Sequence, residues 1–176
     1  MGDLYDDAVA QLSAWRADDP VRQRFLDLLA SSPEVMWAGY PEAHVTASAM
    51  IVHPDLERVL LCLHGRMNKW VQVGGHCEPG DNSLLEAAMR EAREESGLQD
   101  FLAQPVPIDL DIHQVNCRHG ASYHYDVRFA LLAQAGQVEQ VSDESHELGW
   151  FAADSLPTPM AHATEHLVPL ALKAFR

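Results

Sequence analysis

The sequence predicts one mixed α/β domain preceded by a helical N-terminal extension, on three observations. Residues 1–40 place apolar side chains at helical spacing, and from His44 the chain breaks into short strands punctuated by turn residues. Strands and helices then mix to the C-terminus without a repeat or a low-complexity linker, which points to one mixed sheet covered by helices. At 176 residues, with 47% apolar content, the chain can bury a core without metal or disulfide staples.

In the extension, Leu4, Val9, Leu12 and Trp15 recur near helical spacing, and after "DDP" the residues Val21, Phe25, Leu28 and Leu29 share one side of a second helix. Residues 1–40 are therefore read as two helices that pack on the main domain, residues 41–176, or on a second subunit. "SSPE" and "GYPEAH" mark a loop at about 31–43. "HVTASAMIV" and "RVLLCLH", separated by "PDLE", predict a hairpin, and "KWVQVGG" a strand that runs into a glycine pair. Further on, "PIDLDIHQVNCRH" and "SYHYDVRFALLAQ" predict two longer strands about a "GAS" turn. "LGWF" reads as a short strand and "MAHATEHLVPLALKAF" as a final helix bent or delayed by Pro169.

Between the glycine pair and the long strands lies the most informative segment. Ser83 followed by Glu86 is a capping box, and Gly97 with Leu98 behind it is a helix stop, so the spacing predicts a helix over Leu84–Ser96. Leu85, Ala88, Met89 and Ala92 form its apolar stripe, and Glu91, Glu94 and Glu95 crowd the adjacent edge. Spacing alone leaves two readings of that edge. Arg90 sits four residues from both Glu86 and Glu94, as in a solvated ion-paired face; three carboxylates on one edge equally suit a hard divalent cation such as magnesium.

Composition narrows the partners. A formal charge of −14 argues against non-specific binding to nucleic acid or to an anionic membrane, and an anionic substrate would need a cation. Cys62, Cys77 and Cys117 form no C-x-x-C pair, so neither a disulfide framework nor a thiolate zinc site is signalled. With no basic n-region and no apolar run near the ~18 residues of a spanning helix, the expected location is the cytoplasm.

The glycine–helix segment resembles the signature of the Nudix (MutT-like) hydrolases: Gly, five residues, Glu, seven residues, then Arg-Glu-apolar-x-Glu-Glu-x-Gly-apolar. Gly75 opens it, and Arg90, Glu91, Ala92, Arg93, Glu94, Glu95, Ser96, Gly97 and Leu98 close it position for position. One part departs: Asp81 stands where the signature has its first Glu, and eight residues rather than seven separate it from Arg90. The order of strands from about His44 to Arg176 also follows the family, which implies a Nudix-type α/β/α sandwich.

The resemblance implies hydrolysis of a nucleoside diphosphate linked to another group, with magnesium or manganese and water attacking phosphorus. By similarity, Gly75, Glu91, Glu94 and Glu95 are the metal-binding set, with Glu94 and Glu95 as ligands and Glu91 shared between metal and base. Arg90 orients them. Some family members take their base from a distant loop, and in "SDESHE", which holds Asp143, Glu144 and Glu147, the choice falls on Glu144. The implied partner is a small nucleotide or diphosphate, with a homodimer an option for this fold; the alternative is a nucleotide-sensing module that does not hydrolyse.

Other residues carry less. His113 with Val115, and His124 with Asp126, share strand faces by alternation and could line a substrate pocket with His119, although no H-E-x-x-H or Cys/His spacing signals zinc. Cys77, beside His76, reads as a small packed residue. Trp37, Tyr40, Trp70 and Tyr123 are read as buried anchors before purine-stacking rings.

Overall fold

The computed structural model describes residues 2–117, 120–142 and 145–176. Helices α1 (Gly2–Ala14) and α2 (Pro20–Ser31) come first. Asp19 caps α2 by accepting the Val21 N–H at 2.9 Å, and its other oxygen takes the Trp15 indole N–H, also at 2.9 Å, which fixes the bend between the helices. A single 3₁₀ turn, Pro33–Met36, occupies the expected loop.

Eight strands form one sheet around β1 (Ala43–Val52). One edge of β1 is shared by β2 (Arg58–His64), which continues the predicted hairpin, and by β4 (Val73–His76). Its other edge pairs in parallel with β7 (Gly120–Ala133) along its whole length. β8 (Ser145–Ala152) lies beyond β2, and β3 (Lys69–Val71) continues the edge that β2 shares with β1; beyond β7 lie β5 (Phe101–Ala103) and β6 (Asp109–Cys117).

Three details differ from the sequence reading. "KWVQVGG" makes two strands that serve different neighbours, with Gln72 between them. The "GAS" residues begin β7, paired with Val115, Asn116 and Cys117, instead of forming a turn. The short β5 carried no alternation to announce it.

The sheet separates two layers of helix. Val45, Ala47, Ala49 and Ile51 of β1 pack with Val127, Phe129 and Leu131 of β7 against α1, α2 and α3 (Leu84–Ser96). Met50 and Val52 turn the other way, toward α4 (His162–Lys173), which contains Pro169. The N-terminal helices share the main core: Leu4, Ala8, Leu12, Phe25 and Leu29 are buried in it, Phe25 meets Tyr125 edge to face, and Asp7 accepts the Leu84 N–H at 2.8 Å. Trp70 is buried against Phe151; Trp37 and Tyr40 pack on the core, and Tyr123 is exposed. Among the described residues, no helix is long and apolar enough to cross a membrane.

Candidate active site

Helix α3 begins and ends where its caps predict. The Ser83 hydroxyl accepts the Glu86 N–H, while Glu86 reaches back one residue further than a standard capping box to accept the Asn82 N–H at 2.9 Å. Gly97 closes the helix at φ 74°, a left-handed conformation glycine adopts freely, and donates its N–H to Arg93. The buried face is Leu84, Ala87, Ala88, Ala92 and Ser96, rotated from the expected stripe so that Leu85 and Met89 are only partly buried. That rotation carries Glu91 and Glu95 to the flank that faces the sheet and leaves Glu94 outward, with 58% of its side chain exposed.

Arg90 ties the edge together. Its Nη1 donates to Glu91 at 3.0 Å and to Glu94 at 3.1 Å, and its Nη2 donates to the His76 carbonyl at 2.8 Å. Nε and Nη2 clasp the two oxygens of Asp81, each at 3.1 Å, in a bidentate pair whose aspartate is only 7% exposed. Burial by itself favours loss of the arginine proton, but Asp81 and Glu91 outweigh it and raise the pKa further. Asp81, the departure from the signature, therefore anchors Arg90 from the loop before the helix. No spacing rule pointed to that role.

The glycine pair makes room for the carboxylates. A Cβ on Gly75 would lie 2.7 Å from a Glu91 oxygen, so the bare backbone lets that carboxylate lie against β4. Gly74, at φ 151°, is required for a different reason: a Cβ there would fall 2.5 Å from the Ser48 Cα of β1. At the far end of the edge, Cys62 Sγ of β2 lies 3.9 Å from Glu95 Oε2. Gly75, Arg90, Glu91 and Glu94 are thus gathered at the junction of β4 and α3, with Glu95 one turn on toward β2. Glu144, Asp143 and His119 lie outside the described residues, and Glu147 is exposed on β8. Cys77 is buried, and burial pushes its thiol up to about 12, so it stays protonated and unreactive. A cleft of about 410 Å³ opens on the N-terminal side of α3, lined in part by Leu4, Trp37 and Asp81, and contains none of the three glutamates.

The opposite face of the sheet carries a second polar group that alternation only partly disclosed. Arg128 of β7 donates to Asp126 (2.9 Å), Asp111 (2.8 Å), Asp109 (3.2 Å) and the Ala163 carbonyl (3.2 Å). Asp126 also accepts from Thr46 at 3.1 Å and Ser48 at 2.7 Å. Burial raises the pKa of Asp109 against the pull of Arg128; the carboxyl of Asp111 is lowered, because a hydrogen bond from His113 and the charge of Arg128 overcome its burial. On the same face of β1 and β7, His44, His76 and His124 stand together, with His44 buried and the other two half-buried. His44 was not singled out by the sequence, although His44, Thr46 and Ser48 alternate with apolar residues along β1.

Residues 42–171 match the family model described as NUDIX domain. A mouse protein named 8-oxo-dGDP phosphatase NUDT18 is 39% identical over 110 residues, which cover 59% of this chain and 30% of that protein; the chain thus spans about a third of the length of the curated relatives it matches. Among solved structures, the NUDIX domain of Shewanella oneidensis NrtR, complexed with ADP ribose, superposes with a TM-score of 0.60 at 20% identity over 86% of this chain and 98% of that one. A NUDIX-family hydrolase from Clostridium perfringens gives 0.57 at 23% identity over 74% and 95%.

Proposed function

We propose that this chain, which belongs to the NUDIX family, is a divalent-metal-dependent hydrolase that cleaves a phosphoanhydride bond in a nucleoside diphosphate derivative by attack of water on phosphorus. The observation that carries the proposal is the Arg90 network. It fixes Glu91 and Glu94 on one edge of α3, beside a glycine strand whose lack of a side chain gives Glu91 its place.

The donor set fits a hard cation. It consists of carboxylates and main-chain carbonyls on an edge whose Glu94 is largely exposed. The glutamate oxygens do not converge into a closed three-ligand cage, and magnesium does not need one: it keeps several waters and binds through one or two carboxylates together with substrate phosphates. Glu94 and Glu95 would hold the ion with the Gly75 carbonyl, and Glu91 would be shared between metal and base. An ion bound there neutralises phosphate charge and acidifies water, which a chain of net charge −14 needs before a polyphosphate can approach. Arg90 keeps Glu91 and Glu94 from spreading under their mutual repulsion, and Asp81 keeps Arg90 from swinging into solvent. Glu144, which precedes Ser145 in sequence and lies outside the described residues, is the second candidate for the base.

The name of the mouse relative makes 8-oxo-dGDP the first substrate to try, and the ligand of the Shewanella domain makes ADP-ribose the second. The test is incubation with magnesium or manganese against these two, nucleoside triphosphates, nucleotide sugars and dinucleotides, with products identified by mass. Cleavage of one class that EDTA abolishes is the expected result. Nucleotide binding without cleavage under either ion would replace the hydrolase with a sensor.

A further inference from the structure

We propose that His44, His76 and His124 form a second metal site, for a borderline divalent ion of the zinc class, on the face of the sheet opposite the glutamate edge. The inference is independent of the hydrolytic reading. Each imidazole offers one nitrogen, and the three nitrogens lie within 4.8 Å of one another.

The placement follows from strand register. His44 and His124 are directly paired across the parallel β1–β7 ladder, and His76 of β4 pairs with Thr46, one step along the same face of β1. Ring centroids are 4.8 to 5.1 Å apart for all three pairs. Three sequence-distant strands thus converge three like side chains on one point.

Packing alone does not account for this. His44 is 1% exposed and its one polar neighbour is the Tyr40 main chain, at a geometry too poor for a good hydrogen bond, so at least one buried ring nitrogen is left without a partner, a costly arrangement. A shared ion supplies what is missing, since metal binding uses a ring nitrogen's lone pair.

The donor chemistry selects the ion. Three neutral imidazoles without a thiolate suit zinc and its neighbours, whereas magnesium and calcium prefer oxygen. Three protein ligands leave a fourth tetrahedral position for water or an anion. With Zn–N bonds of about 2.0–2.1 Å, tetrahedral nitrogens are about 3.3 Å apart, so rotation of the side chains must draw the present cluster inward slightly. His113 meets His124 edge to face at 5.5 Å and is itself held by Asp111 at 2.7 Å, which limits how far the His124 ring can turn. The site adjoins the glutamate edge through a single residue: the His76 carbonyl accepts from Arg90 on one side while its ring faces the cluster on the other.

The test uses untagged, EDTA-treated full-length protein and zinc alone, with retained metal measured by elemental analysis after gel filtration. To remove the carboxylate site, the same measurement is made on the Glu91→Gln/Glu94→Gln/Glu95→Gln variant. One zinc per chain should be retained by both proteins in excess magnesium, and affinity should fall at least about tenfold in each of His44→Gln, His76→Gln and His124→Gln. Zinc that is not retained, or that is lost with the glutamates and kept by the histidine variants, overturns the proposal. Should those variants fail to fold, cobalt added to the wild type decides: strong visible absorption of a four-coordinate nitrogen site supports it, and the faint spectrum of six-coordinate cobalt overturns it.

Discussion

Arg90 and Arg128 each gather three carboxylates and one main-chain carbonyl, but the side chain of the first is 21% exposed and that of the second 3%. Around Arg90 the carboxylates belong to a helix edge and the loop before it, and one of them faces solvent. Around Arg128 they come from two strands and lie beneath the start of α4. The same ion-pair chemistry therefore holds a site open in one place and locks strands and a helix together in the other. Burial decides which, because an unpaired charge costs far more in the interior than at the surface.

The sharpest way to break the comparison is to remove each arginine. Arg128→Met leaves the buried Asp126 and the half-buried Asp109 and Asp111 without their cation and should lower unfolding free energy by about 3–5 kcal/mol in urea titration. A loss under about 1 kcal/mol would place Arg128 with surface pairs instead. Arg90→Met should shift the balance toward function: only Asp81 is left both buried and without its cation, so stability should fall by less than in Arg128→Met, about 1–3 kcal/mol, while kcat/KM drops about 100-fold, or roughly 2.7 kcal/mol of barrier.

A smaller perturbation tests the room made for Glu91. In Gly75→Ala the new methyl meets the flexible end of Glu91, so the carboxylate moves and the fold survives; turnover should fall about tenfold with little change in melting temperature. Large destabilisation would mean that the glycine serves the backbone rather than the site. The smallest effect is expected in acid. Asp111 has its folded pKa depressed below 3.8, so its contribution is complete above that unfolded value and is lost as pH falls through the lower folded one. Asp111→Asn should therefore flatten the stability-versus-pH curve below about pH 4, and an unchanged slope would remove Asp111 from the Arg128 cluster.

The comparison also explains what could be read in advance. Helix α3, its caps and the Arg90–Glu94 pair depend on residues within a few turns of one another, and the observed boundaries Leu84–Ser96 coincide with those the caps predict. Ala88 and Ala92 are buried as the stripe expected, but Leu84, Ala87 and Ser96 take the places assigned to Leu85 and Met89, because small residues such as Ala87 and Ser96 weigh little in an apolar count. The role of Asp81 was missed because the loop that returns it to Arg90 has no helical period. The Arg128 cluster and the three histidines depend on which strands become neighbours. Alternation placed His124 and Asp126 on one face, but only the parallel pairing of β1 with β7 brings His44 opposite His124.

The central claim is that the α3 edge performs metal-dependent hydrolysis. Its most direct test is the magnesium-dependent rate of Glu94→Gln beside wild type, on whichever diphosphate the panel identifies, with melting temperatures measured in parallel. Glu94 is exposed and its replacement is isosteric, so the fold should be unaffected and the rate should fall by about 10³-fold or more, roughly 4 kcal/mol of barrier. A rate within tenfold of wild type at the same melting temperature would contradict the account.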